Sequence, residues 1–139
     1  MTGENSRENA REDVARGEEA LSAARHLCAG GFNNDAVSRA YYAAFHWTRA
    51  LLVSNGIEAK THRGTVQLLG LHFVKTGQLP PDIAGLLAHL ETYRELVDYT
   101  PAARFTKEEA EQEIARAERF IGAVRPLIRK ATMVMSGAK

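Results

Sequence analysis

Ser38-Arg39-Ala40-Tyr41-Tyr42-Ala43-Ala44-Phe45-His46-Trp47 decides how this chain folds. Alanines and aromatics recur through it in steps of three and four, so that Ala40, Ala44, Trp47 and Leu51 form one apolar stripe of a helix. Val37, Tyr41, Phe45, Thr48 and Leu52 form a second. A helix apolar on two faces belongs at the centre of a bundle. Between the stripes Arg39, Tyr42 and His46 share one face. Buried without partners, such groups cost about 1–3 kcal/mol each. They must therefore be paired or carry chemistry.

Working outward, Asn33 or Asn34 is the expected N-cap of this helix and Gly56 its left-handed C′ residue. Upstream, Ala10, Val14, Gly17, Leu21, Ala24 and Cys28 predict a first helix with a seam of small residues, stopped by Gly30-Gly31. A neighbour can approach such a seam closely. Downstream, Thr61 caps a short third helix containing Val66, Leu69 and Phe73 and ending near Gly77, and Pro80-Pro81 start a fourth with Ile83, Leu86, Leu90, Tyr93 and Val97. Arg94 and Asp98 stand one turn apart on that helix. Thr106 to Glu109 reads as a capping box opening a last helix with Ala110, Ile114, Ala117, Ile121, Val124 and Ile128. Pro126 predicts a kink near Gly122 and a frayed tail after Lys130, with Met133, Val134 and Met135 as tail or as a subunit contact.

No strand-like alternation or repeat interrupts this pattern, so the expected fold is all-α: an up-and-down four-helix bundle with an additional short helix. One domain spans 1–139, with its core at about 7–130 and a tail at 131–139. Eighteen Lys and Arg against seventeen Asp and Glu give a net charge of +1, which excludes whole-molecule attraction to a polyanion and leaves local contacts. The charged N-terminus and the lack of a long apolar run predict a soluble, cytoplasmic protein without membrane association. A lone cysteine, Cys28, fits a reducing compartment and a packing role.

The helix-two stretch resembles the HEPN superfamily when taken with Lys60-Thr61-His62-Arg63-Gly64, Phe73-Val74-Lys75-Thr76-Gly77 and Arg94-Glu95-Leu96-Val97-Asp98-Tyr99. The match is to a small prokaryotic branch and covers roughly residues 15 to 130. The resemblance implies a bundle of four or five helices that dimerises near the arginine-bearing part of the fourth helix. Many members are metal-independent endoribonucleases of toxin–antitoxin or defence systems, and others are non-catalytic companions of small nucleotidyltransferases or bind nucleotides. The nuclease signature is an arginine followed after four to six residues by histidine. Here, after four intervening residues, Arg94 is followed by Tyr99, giving R-x-x-x-D-Y. A phenol titrating near ~10 is a poor base where a histidine near ~6.5 is a good one.

Three functions follow as expectations. The first is a dimeric, non-catalytic or weakly catalytic partner of a small nucleotidyltransferase in a two-component system. The second is an RNA endonuclease in which Arg94 holds phosphate, Tyr99 positions it and His46, or His62, moves the proton. The third is a nucleotide-sensing or protein-interaction module. Arg39, Lys60, His62 and Arg63 are the candidate phosphate or nucleotide ligands, the last three beside a helix N-terminus that favours anions. The plainer alternative makes Tyr42 and Asp98 members of a structural network that locks Arg39 and Arg94 and sets helix register. His26, His46, His62, His72 and His89 have no metal-ligand spacing, so no metal and no cofactor are expected; His72 and His89 read as surface or interface residues and Trp47 as core.

Overall fold

The structure, a computed structural model, describes residues 3–135, with side chains from 5 to 131. Among the described residues five α-helices follow one another: α1 (Gly3–Ala29), α2 (Asn33–Ser54), α3 (His62–Leu69), α4 (Pro81–Tyr99) and α5 (Lys107–Met135). A single π-turn, Gly70–Val74, extends α3. No strand occurs among the described residues. α2 is the hub, packing on α1 most extensively and also on α5, α4 and α3. Both of its apolar stripes are buried, and Arg39, Tyr42 and His46 remain partly open between them. The all-α bundle with one short extra helix is therefore the observed architecture.

Local signals explain where the helices begin and end. Thr61 accepts a hydrogen bond from the Gly64 amide at 2.8 Å, and Pro80 and Pro81 open α4. Both halves of the Thr106/Glu109 capping box form, at 3.1 and 2.9 Å. Gly56 turns out of α2 at φ +72°, a conformation that side chains resist. The asparagine caps are a correction. Phe32 occupies the cap position of α2 without a side-chain bond. Asn33 and Asn34 instead reach the segment before α5, Asn34 both donating to the Ala103 carbonyl and accepting from the Phe105 amide at 3.0 Å. Long-range partners there outcompete the local cap.

The tail expectation also changes. α5 runs unbroken through Pro126 to Met135, and Gly122, whose carbonyl loses its donor, lies on an exposed face where water can reach it. The side chains of Met133, Val134 and Met135, read as tail or subunit contact, lie outside the described residues.

The seam of α1 is shifted from the expected one. Ala10, Gly17, Ala24 and Cys28 are buried, but Asp13 and Ala20 join them while Val14 and Leu21 are only partly covered. At Gly17, α1 lies directly against α2. A Cβ built there would stand 2.6 Å from Trp47 Cδ1 and 3.3 Å from the Ala43 carbonyl oxygen. Gly17→Ala gains about 1 kcal/mol in helix propensity, yet overpacking against an immobile indole costs about 1–3 kcal/mol. A lower urea midpoint is the expected result, and a raised one would show that Trp47 moves freely.

Candidate functional site

The site is built on α2, the N-terminus of α3 and the second half of α4. Tyr41 is completely buried at its floor, and its hydroxyl lies 2.7 Å from His62 Nδ1. The Thr61 cap makes His62 the first residue of α3, and its ring falls back on Phe45 of α2, nearly parallel at 8° and 4.1 Å between centroids. From α4 comes Arg94, whose guanidinium carbon sits 5.0 Å from the Tyr41 ring centroid and 5.9 Å from that of Tyr42. Arg39 stacks on Tyr42 at 4.7 Å. Tyr42 thus carries two guanidiniums. Ring faces attract cations, and a carboxylate, Asp98, is paired with one of the two, Arg94.

Arg94 is held firmly. Its side chain is only 13% exposed, Nη1 donates to Asp98 Oδ2 at 2.6 Å, and its buried Nε has no hydrogen-bond partner among the described residues. Burial opposes its charge, but Tyr42, Tyr41 and Asp98 together outweigh that and raise its pKa. Tyr41 is pushed above the ordinary phenol value by burial, then by Glu91, so it keeps its proton. His62 is shifted the other way: burial first, then Arg94, lowers its pKa against the opposing pull of Glu91. It is neutral at pH 7 and offers two arrangements. Either Nδ1 accepts from the phenol and Nε2–H is a donor, or Nδ1–H donates and Nε2 is a free base.

This depression has a sign. Below about pH 6.5 the unfolded chain takes up the proton that folded His62 refuses, so stability falls as pH drops from that value toward the lowered folded one. His62→Gln is expected to flatten this part of the stability profile in denaturant titrations at stepped pH. An unchanged slope would assign the effect to other groups.

The sequence-derived candidates separate into groups. Arg39, Tyr42, His62, Arg94 and Asp98 come together; Asp98 holds Arg94, whereas Arg39 rests on Tyr42 rather than on Asp98. Lys60 and Arg63 flank His62 on the exposed surface. Tyr99 is 77% exposed at the end of α4, outside the aromatic cluster. His46 turns toward α1, its Nδ1 3.2 Å from Asp13 Oδ1. Three participants escaped the sequence reading. Tyr41 reads as apolar packing on its stripe, although a phenol in a hydrocarbon stripe is itself a signal. Asp13 gives no signal because its partners lie on α2, and Glu113 none because His89, its partner across the bundle, lies on α4. Glu113 is fully buried on α5, receives Arg116, and lies 3.0 Å from His89 Nε2, so His89 is a partner in the α4–α5 interface rather than a plain surface residue. Among the described residues, no three His, Cys, Asp or Glu side chains converge as metal ligands, and no helix is long and apolar enough to cross a membrane.

Comparison with known proteins bears on the family and the fold. The chain is 36% identical over 113 residues to the Methanocaldococcus jannaschii protein named "Putative toxin MJ0605", covering 81% of this chain and 84% of that one. It is 37% identical over 107 residues to a UPF0332 protein of Gloeobacter violaceus, covering 76% and 85%. Among solved structures, TT1696 from Thermus thermophilus superposes with a TM-score of 0.73 at 22% identity, covering 85% of this chain and 97% of that one. An archaeal HEPN homologue, ST0689, gives 0.70 at 24%, covering 86% and 97%. These two likenesses concern the fold. The HEPN domain model matches residues 10–127, and on that match the chain belongs to the HEPN family.

Proposed function

We propose that this chain is the toxin-type HEPN component of a two-component prokaryotic system and acts on RNA without a metal, Arg94 holding a phosphate and His62 moving the proton. The observation that carries this reading is the Tyr41 bridge: one buried phenol contacts His62 at 2.7 Å and underlies the Arg94 guanidinium at 5.0 Å. The base absent from the position of Tyr99 is thereby supplied from α3. Arg39 stands on the open side of Tyr42 as a second phosphate ligand. The unpartnered Nε of Arg94 and the two names of related proteins as toxins support the same reading. The test is expression in a bacterial host together with cleavage of purified single-stranded RNA in chelator. Growth arrest and cleavage, both lost in His62→Ala, are expected; cleavage undiminished in that variant would remove His62 from the mechanism.

A second reading has its own observation. Leu96 and Tyr99 are exposed on the last turns of α4 beside Arg94, a surface suited to a second copy of the chain or to a small nucleotidyltransferase. Here the module is a non-catalytic dimeric partner, and Arg94 with Asp98 shapes a docking face. Sedimentation of the purified protein, alone and with the product of a neighbouring nucleotidyltransferase gene, separates the two readings.

A further inference from the structure

A second polar cluster lies along α2 from the Arg94 site. Asp13 of α1 is only 8% exposed in a seam otherwise lined by small residues. Its Oδ1 lies 3.2 Å from His46 Nδ1 and 3.7 Å from Arg49 Nε. A carboxylate placed there must be paired to be tolerated, and its pairing has a directional result. Nδ1–H of His46 donates to Asp13, which leaves Nε2 as the reactive nitrogen. With Nε of Arg49 turned to Asp13, the two terminal nitrogens of that guanidinium remain for something else.

These groups border a cavity of 580 Å³ whose walls also include Arg16, Glu12 and Glu58. That volume falls in the range of small-ligand sites, about 300–1,000 Å³. Its charges are mixed. Arg16, Arg49 and His46 suit a phosphate, while Glu12 and Glu58 would repel a bare one and instead accept hydrogen bonds from hydroxyl or amino groups. A ribonucleotide carries both kinds of group. The cavity also adjoins the first site, because Phe45 packs its face on His62 and meets His46 edge-on.

We infer that the α1–α2 cavity is a second nucleotide subsite, in which Arg49 and Arg16 hold the phosphate of a nucleotide further along the same RNA strand while Asp13 positions His46 toward it. The inference rests on the RNA reading of the Arg94 site and adds Asp13, Arg16 and Arg49 to it. Asp13 is a positioning residue that acts through His46.

The test measures binding of a short fluorescent single-stranded RNA by anisotropy across a salt series, for the wild type, Arg49→Gln and Arg94→Ala. Arg49→Gln is expected to weaken binding about tenfold and to reduce the salt slope by about 0.7, the loss of one phosphate contact on a single strand. In parallel, the His46 ring nitrogens, assigned by NMR, should shift when this RNA is added to the wild-type protein. Asp13→Asn should move the His46 signals in the free protein, and its folding is checked by its α-helical spectrum; if it does not fold, the Arg49→Gln slope and the wild-type His46 shift decide alone. Full binding and an unaltered slope in Arg49→Gln, with Arg94→Ala weakened, would overturn the subsite and leave the RNA reading standing. RNA binding unaffected by Arg94→Ala but weakened by Arg49→Gln would support the subsite and refute the placement of RNA at Arg94.

Discussion

Arg94→Ala is expected to relieve growth arrest and to reduce RNA cleavage by about two to three orders of magnitude, the usual effect of removing a preorganised charge donor at a reacting phosphate. The size of the effect follows from how the side chain is held. Its guanidinium is clamped by Asp98, lies over two phenol rings and retains one buried, unpartnered donor, so it cannot be replaced by a neighbouring cation. Arg94→Lys should restore little, because an ammonium lacks the planar fork and the stacking face. Circular dichroism of the purified variants distinguishes lost chemistry from lost fold. Arrest that persists in a folded, soluble Arg94→Ala protein would remove this residue from the function.

The largest stability effect is expected at Trp47. Trp47→Ala should cost about 3–5 kcal/mol, the range for truncating a buried large aromatic. Several contacts end together: the indole is 3% exposed, fills the space above Gly17, and is capped by Arg125 at 4.9 Å. For a chain of this size the unfolding midpoint should fall by more than about 10 °C. Calorimetry of the variant checks this, and a shift of only a degree or two would mean that α1 and α5 close over the cavity. Combining Trp47→Ala with Gly17→Ala should be less harmful than the sum of the two, because the new methyl group enters space that the indole has left.

What the sequence disclosed follows from the range of each interaction. Helix order, the Thr61 cap, the Thr106/Glu109 box and the Gly56 exit depend on neighbours within four residues, and periodicity exposes them directly. Interactions between distant segments were not legible. Asn34 looks like a cap until its partners at 103 and 105 are known. Asp13 looks like one more surface acid until α2 brings His46 and Arg49 against it. The site was half legible for the same reason. Arg39, Tyr42 and His46 declared themselves by spacing on one helix, but spacing did not reveal that His46 turns to α1 while His62 takes the place beside Tyr41 and Arg94.

Because α2 supplies Arg39 to one cluster and Arg49 to the other, the distance between them is set by a rigid ruler. Ten residues of α-helix separate the two arginines, about 15 Å along the axis. Loop motions cannot stretch that interval. α3 and α4, which bring His62 and Arg94, and α1, which brings Asp13 and Arg16, can approach or withdraw from it. Any adjustment to a ligand therefore changes how tightly each cluster closes and leaves the spacing of the two arginines unaltered. One residue inserted between Tyr42 and His46 would turn the second cluster about 100° away from the first, breaking the ruler while each half of the helix stayed intact.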